Sequence, residues 1–95
     1  INRWQTRKPL PTPRSGIAAA ILDGKIFVFG GEAPSGTFHQ VEAYDPQSDS
    51  WSPYAPMPTA RHGLGAVTVG ERLYVVSGGP TPGGSASSRN EIFTP

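Results

Sequence analysis

The sequence lacks several features that would define a class of function directly. None of its 95 residues is cysteine, which excludes disulfides, thiolate metal ligands and a cysteine nucleophile. The 8 basic and 7 acidic residues give a net charge of +1 and form no run of one sign. Such a balance argues against a nucleic-acid or anionic membrane surface. No apolar run approaches the roughly 18 residues of a membrane span. We therefore expect neither nucleic acid nor membrane among its partners.

Glycine and proline, by contrast, are abundant. The chain has 12 glycines and 11 prolines, together with two Trp, three Tyr and four Phe. Turn-forming residues at this frequency, between short runs of β-branched and aromatic residues, favour many short strands over helices. No stretch shows a helical period with caps. The length allows at most one small domain, so the prediction is a single all-β unit.

The sequence contains two copies of one repeat unit. Trp4 recurs as Trp51, 47 residues later, and eight of the 26 pairs between positions 4 and 29 are identical at this offset. A repeat at such a period predicts a repetitive architecture. We expect the offset to become 48 at the glycine pair, where Gly30-Gly31 aligns with Gly78-Gly79 and Ser77 is extra. It then becomes 49, where Glu42 aligns with Glu91.

Each unit is expected to form four strands, named a to d in the order in which they follow one another. The predicted strands are a at residues 17–22 and 64–69, b at 26–29 and 73–76, c at 39–44, and d around Trp51. An orphan d strand is expected at residues 3–6. We therefore divide the chain into an orphan outer strand at 1–6, a first repeat at 7–54 and a second repeat at 55–95. The second repeat lacks its own outer strand.

The repeated motifs resemble those of kelch-repeat β-propellers. They are Pro13-Arg14-Ser15-Gly16, a β run ending in Gly30-Gly31, Tyr44-Asp45-Pro46 and Trp51. The second copy departs from the pattern at Ala60, Ser77 and Phe93-Thr94-Pro95. Its long 80–88 loop resembles the terminal blades of larger bacterial kelch proteins. The resemblance implies four-stranded antiparallel blades, six or seven of them around a channel.

Two blades cannot close a ring, so the kelch resemblance also implies a partner. An isolated pair would leave apolar blade faces exposed. We expect the chain to assemble with itself, first as a homotrimer with six blades and otherwise as a tetramer with eight. The orphan strand of one copy would complete the second repeat of the next. The alternative is that the chain is an excised or engineered piece of a longer propeller.

A binding site is expected on the face that carries the d–a and b–c loops, here called the loop face. It comprises residues 11–15, 32–38, 59–62 and 80–88, and loops on a rigid scaffold commonly bind ligands. The resemblance implies a peptide or a small polar ligand. For the arginines, an internal ion pair with Glu42 and Glu91 remains the alternative, and Glu32 is a ligand contact, an acid–base group or a solvated carboxylate. The candidate binding residues are Arg14, Ser15, Glu32, Phe38, Arg61 and His62.

A second set of motif residues is expected to be structural. The glycines let strands crowd beside the channel, and the aromatic residues fill the layer between blades. Residues 80–88 lack the Gly-Lys-Ser/Thr ending of a phosphate loop and are predicted to be a flexible loop. The structural residues are Gly30, Gly31, Gly78, Gly79, Tyr44, Phe93, Trp4 and Trp51.

The predicted function is that of a non-enzymatic kelch scaffold. With only two histidines, His39 and His62, and no cysteine, no metal site, cofactor or catalytic set is predicted. The alternative is a piece of a kelch-type carbohydrate-processing enzyme, similar to sialic acid mutarotases or to copper radical oxidases. The oxidase site needs a cysteine crosslinked to a tyrosine, which this chain cannot supply. A mutarotase-like site would draw on Arg14, Glu32 and Arg61.

Overall fold

A computed structural model describes residues 1–95 and contains nine strands and no helix. No element therefore has the length and hydropathy of a membrane-spanning helix. The all-β prediction is confirmed, and every sheet is antiparallel. The strands are β1 (Ala18–Leu22), β2 (Lys25–Phe29), β3 (Glu32–Ala33), β4 (Gly36–Thr37), β5 (Val41–Asp45), β6 (Ser50–Tyr54), β7 (Gly65–Val69), β8 (Arg72–Val76) and β9 (Asn90–Phe93).

The first blade is a four-stranded sheet in the order β1-β2-β5-β6. Its first hairpin turns at Asp23-Gly24, where both residues have positive φ angles, 52° and 71°. This is the backbone that a two-residue hairpin with the natural strand twist requires, and Asp-Gly adopts it readily. The predicted a, b, c and d strands are all present, each shifted by at most two residues at its start.

The second blade has three strands, in the order β7-β8-β9. The outer edge of β9 has no partner, as the missing fourth strand predicts. The expected strand at residues 3–6 is not formed in the single chain. Trp4 is consequently fully exposed. A short hairpin of β3 and β4 inside the first b–c loop was not predicted.

The core lies between the two blades. One face of the first blade and one face of the second meet there, and the strands β1 and β7 pack side by side. Phe29 and Leu73 are completely buried in this layer. The other face of each blade is not covered by the chain. The chain therefore has one buried layer between its blades and two outward faces. The core residues are Ala18, Leu22, Phe27, Phe29, Val41, Ala43, Met57, Leu64, Leu73 and Val75.

The backbone corrects the predicted alignment of the two repeats. Phe29 pairs with Ala18 in the first blade and Val76 pairs with Gly65 in the second, so the offset of 47 still holds at the strand ends. It holds further: Gly30 and Ser77 have φ angles of 62° and 61°. Ser77 is therefore not an insertion but stands in the position of the first glycine, and Gly31 corresponds to Gly78. The two extra residues of the second repeat lie in its b–c loop.

Within the single chain, the aromatic residues predicted to be structural lie in different places. Phe93 fills the layer between the blades, since its ring lies 6.1 Å from Phe27 and 6.4 Å from Phe29. Tyr44 and Trp51 instead pack on each other, with ring centroids 5.1 Å apart. Tyr44 is buried, but neither residue belongs to the cluster between the two blades. Because successive residues of a strand point to opposite faces, Tyr44 points away from the face that carries Val41 and Ala43.

The segment that precedes β1 is tied to the first blade at Arg7 and Lys8. The Arg7 guanidinium donates to the Tyr44 hydroxyl at 2.9 Å and to the Pro46 carbonyl at 2.7 Å. Asp49 accepts from the Lys8 amide at 3.0 Å and from the Tyr44 hydroxyl at 2.7 Å. The Lys8 amide, followed by Tyr44, lowers the pKa of Asp49 below its usual value, and the hydrogen bond to Asp49 raises the pKa of Tyr44. Residues 1–6 extend beyond this anchor.

Candidate functional site

The d–a and b–c segments of both blades meet at one end of the molecule, where the loop face was predicted. In the first blade, Ser15 and Glu32 exchange backbone hydrogen bonds of 3.3 and 2.8 Å. In the second, His62 and Gly79 do the same at 3.0 and 2.8 Å. These bridges bring Ser15, Glu32 and His62 to one face on a hydrogen-bonded frame.

Close backbone approach at these bridges explains one glycine in each repeat. Gly31 and Gly78 have φ angles of 126° and 89°, a region that favours glycine. A Cβ atom on Gly31 would lie 2.7 Å from the Ser15 carbonyl oxygen, and one on Gly78 would lie 2.6 Å from that of His62. Both positions therefore require glycine for the same reason, which supports their structural assignment.

Arg14 forms an internal clamp. Its side chain has no exposed surface and donates to Glu42 Oε1 at 2.8 Å. Its Nε donates to the Gly30 carbonyl at 2.6 Å, and Thr12 Oγ1 donates to the other Glu42 oxygen at 3.1 Å. Every guanidinium nitrogen thus has an acceptor within the blade. The structure supports the internal ion pair, and Arg14 offers no free group to a ligand.

Arg61 repeats this clamp with one difference. It pairs with Glu91 at 2.5 Å, and Thr59 donates to the second Glu91 oxygen at 3.3 Å. The Ser77 carbonyl, equivalent to that of Gly30, accepts from a terminal nitrogen of Arg61 at 2.7 Å rather than from its Nε. The buried Nε is left without a partner, and an unpaired buried donor of this kind costs about 1–3 kcal/mol. Arg61 is therefore also structural rather than a free ligand contact.

Glu32 and His62 form a polar pair that joins the two blades on the loop face. Glu32 Oε2 lies 3.0 Å from His62 Nδ1, with the side chains 28% and 11% exposed. Glu32 is the counterpart of Gly79 in the second repeat, so the chain has only one such carboxylate. This contact excludes an entirely solvated carboxylate at Glu32.

The 80–88 loop lies across this pair. The Gly83 amide donates to Glu32 Oε1 at 2.9 Å, and the Thr81 carbonyl lies 2.9 Å from His62 Nε2. Thr37 Oγ1 donates to the Pro80 carbonyl at 2.9 Å. The sequence predicted a flexible loop, whereas the structure attaches it to both blades at three points. No local pattern identifies these contacts, because they join residues 19 to 51 positions apart.

The remaining candidates lie beside the pair. The Ser15 side chain is exposed and donates to the Glu32 carbonyl at 3.3 Å. Phe38 is half-buried, and its carbonyl accepts from the Arg61 amide at 3.3 Å. Residues 35–40, which include Phe38, form a shallow polar depression of about 270 Å³. No group of three or more His, Asp or Glu side chains in the chain is placed to hold a metal ion.

Comparison with known proteins agrees with this architecture. Residues 13–58 match the family model described as the Kelch motif. The chain is 38% identical over 53 residues to beta-scruin of Limulus polyphemus, covering 55% of this chain and 6% of that protein. It is 31% identical over 52 residues to kelch-like protein 26 of Danio rerio, covering 55% and 9%. It is also 36% identical over 50 residues to human kelch-like protein 4, covering 53% and 7%.

The matched segment is thus less than a tenth of the length of each of these three relatives. It includes the Arg14 clamp, the Gly30-Gly31 pair and the Tyr44 to Trp51 strand connection. The family model spans all four strands of the first blade. Residues 13–58 are therefore a kelch repeat, and over this segment the chain is similar to kelch-repeat proteins.

Proposed function

We propose that this chain is a non-enzymatic kelch scaffold that packs with further copies of itself into a closed β-propeller. The first choice is a homotrimer with six blades, and a tetramer with eight is the second. Its loop face would bind a protein or a small polar ligand. The proposal rests mainly on one observation. Residues that are buried between the two blades of the chain have apolar counterparts in the other repeat that are exposed on its two outer surfaces.

Blade faces that are buried in one repeat are exposed in the other. Phe29, Ala20 and Leu22 of the first blade face the core, whereas their counterparts Val76, Val67 and Val69 are 39%, 53% and 58% exposed. We call this surface of the second blade, completed by Ile92, the second outward face. Its residues are apolar although nothing in the chain covers them, which is typical of a surface that packs on a further blade.

The first blade shows the converse. Leu64 and Leu73 of the second blade are buried, and their counterparts in the first blade, Ile17 and Ile26, are 39% and 37% exposed. Ile21 is 65% exposed and pairs with Ile26 across the hairpin. These three isoleucines form the first outward face. Within the chain, one face of the first blade packs on one face of the second. The same positions would meet again if the second blade of one copy packed on the first blade of the next.

The free edge of β9 fits the same arrangement. In the first blade, Tyr44 of β5 is paired with Trp51 of β6. The equivalent pair in the second blade is Phe93 with Trp4 of another copy, which is fully exposed in the single chain. A bound N-terminal strand would satisfy the backbone groups of an otherwise open sheet edge. It would also cover the side chain of Trp4.

One observation favours a scaffold over a mutarotase-like enzyme. Such a site would use Arg14, Glu32 and Arg61, but both guanidinium side chains have no exposed surface and are paired with Glu42 and Glu91. A substrate would have to compete with a carboxylate oxygen that is already bonded to each arginine. Binding through the polar groups and main chain of the loop face needs no such rearrangement.

The mass in solution tests the assembly. Light scattering on a sizing column should give three times the 10.0 kDa of one chain. Val67→Lys, which places a charge on the second outward face, should reduce this mass to that of the monomer. Glu71→Lys, in the neighbouring β7–β8 turn, is the matched control and should leave it unchanged. A folded wild-type monomer would overturn self-assembly, and an assembly indifferent to Val67→Lys would use another surface.

A further inference from the structure

The loop face already holds a ligand-like segment of its own chain. The 80–88 loop presents two main-chain groups, the Thr81 carbonyl and the Gly83 amide, to the Glu32–His62 pair. With a proton on Nε2, His62 donates to the Thr81 carbonyl over 2.9 Å, and Glu32 Oε1 accepts from the Gly83 amide over 2.9 Å. The 3.0 Å contact between Glu32 and His62 holds the donor and the acceptor side by side.

The bound segment has the features of a proline–glycine turn. Pro82 precedes Gly83, whose φ of 84° is the value that the third residue of a type II turn adopts. Proline at the second position and glycine at the third are the preferred residues of that turn. The turn is held internally by Ser85, whose hydroxyl donates to the Thr81 carbonyl at 2.6 Å and whose amide donates to the Gly83 carbonyl at 3.0 Å.

The chemistry of the pair selects a peptide over an anion. A phosphate or carboxylate ligand would meet the negative charge of Glu32, while the adjacent cations Arg14 and Arg61 are neutralised by their own partners. A peptide turn offers one acceptor and one donor, which matches one donor and one acceptor on the protein. Contacts to main-chain groups set the shape of the ligand, and they leave its side chains largely free.

We propose that the Glu32–His62 pair is a receptor for a proline–glycine turn of a partner protein, and that residues 80–88 occupy it as an internal ligand. The proposal rests on the binding role of the loop face proposed above. The 80–88 loop would then regulate that role, because a partner must displace it. The apparent affinity for a partner is reduced by the fraction of molecules in which the loop is bound.

Gly83→Pro separates the receptor from its internal ligand. Proline has no amide hydrogen for Glu32 and cannot adopt the positive φ of Gly83, so the loop should detach while Glu32 and His62 remain. The probe is a fluorescent peptide with the sequence of residues 79–86, Gly-Pro-Thr-Pro-Gly-Gly-Ser-Ala, followed by fluorescence anisotropy. We expect Gly83→Pro to bind it about tenfold more tightly than the wild type.

Two further variants make the experiment decisive. Adding Glu32→Ala or His62→Ala to Gly83→Pro should weaken binding about tenfold, since each removes one of the two main-chain contacts. Glu71→Ala, at the opposite end of the blade, is the matched control and should leave binding unchanged. A peptide in which Pro-Pro replaces the Pro82-Gly83 step lacks the amide and should not bind.

Binding that is equal in the wild type and in Gly83→Pro, or that is indifferent to Glu32 and His62, would overturn the proposal. If Gly83→Pro does not fold, amide hydrogen exchange in the full-length Glu32→Ala chain replaces it, and the Gly83 amide should exchange faster than in the wild type. Unchanged exchange there also overturns the proposal. Light scattering on the same samples distinguishes the two proposals, because loss of peptide binding in an intact trimer leaves the scaffold function standing.

Discussion

Gly30 and Ser77 occupy the same backbone position in the two blades, with φ angles of 62° and 61°. Glycine adopts this conformation freely, whereas a residue with a Cβ pays about 1–2 kcal/mol. The carbonyl of each residue accepts a hydrogen bond from the buried arginine of its own blade, at 2.6 Å from Arg14 and 2.7 Å from Arg61. The strained Ser77 therefore supplies the carbonyl of a hydrogen bond to arginine that is present in both blades.

Replacing Ser77 with glycine should stabilise the chain. The change removes the Cβ from a left-handed backbone position while it keeps the carbonyl that Arg61 uses, so we expect a gain of about 1 kcal/mol in the free energy of unfolding. Urea unfolding measures it. Gly78→Ala is the contrasting variant and should be destabilised, because its Cβ would lie 2.6 Å from the His62 carbonyl oxygen. A destabilised Ser77→Gly would show that the positive φ carries no strain.

Breaking the Arg14 clamp should cost much more. Arg14→Ala leaves Glu42, which is only 8% exposed, without its cation. Removal of one partner of a buried ion pair lowers the free energy of unfolding by about 3–5 kcal/mol. Arg89→Ala, on an exposed arginine of the 80–89 segment, controls for the loss of one positive charge and should stay within about 0.5 kcal/mol of the wild type. Equal effects of the two variants would rule out the clamp as a source of stability.

The exposed Trp4 should affect assembly without affecting the single chain. Trp4→Ala, or deletion of residues 1–6, removes nothing that is packed within the chain, so the melting temperature of the monomer at low concentration should not change. In the proposed assembly, β9 of the neighbouring copy would lose its partner strand, so the mass by light scattering should fall. Trp51→Ala makes the matched comparison, since Trp51 packs on Tyr44 and donates to the Lys8 carbonyl at 2.9 Å. It should lower the melting temperature, and an unchanged assembly after deletion of residues 1–6 would exclude strand exchange.

Acid should weaken the anchor of the N-terminal segment. The pKa of Asp49 is lowered in the folded chain, chiefly by the Lys8 amide and then by Tyr44. A carboxylate with a lowered pKa stabilises the fold above its unfolded pKa of about 3.9, and this contribution is lost as the pH falls through the folded value. Thermal melts between about pH 2 and pH 6 should therefore converge for the wild type and Asp49→Asn at the acid end and differ at the upper end. Parallel curves would show that Asp49 is not stabilising.

Much of the architecture follows from local patterns. Alternation of apolar residues and the Asp23-Gly24 turn define the strands of the first blade, and its sheet order follows from the antiparallel connections. The alignment of the second repeat does not follow in the same way. Matching Gly30-Gly31 with Gly78-Gly79 maximises identity, but the backbone position is defined by its φ angle, and a serine can occupy it at some cost.

The site was only partly predictable for a different reason. The loops that meet at the loop face follow from strand direction, which predicts Ser15, Glu32 and His62 on one face. The partners of each residue depend on the packing of one blade against the other. The contact between Glu32 and Gly83 joins residues 51 positions apart, and no pattern within either repeat indicates it.

In the proposed assembly, the two outward faces determine how copies would meet. One consists of Ile17, Ile21 and Ile26, and the other of Val67, Val69, Val76 and Ile92, so a copy has a head that differs from its tail. Two copies joined head to tail leave one first outward face and one second outward face uncovered. Only closure into a ring covers both. Mixing a copy disabled at its head with one disabled at its tail should therefore stop growth at a pair. A complex of two copies would show that the two outward faces of the chain are different and complementary.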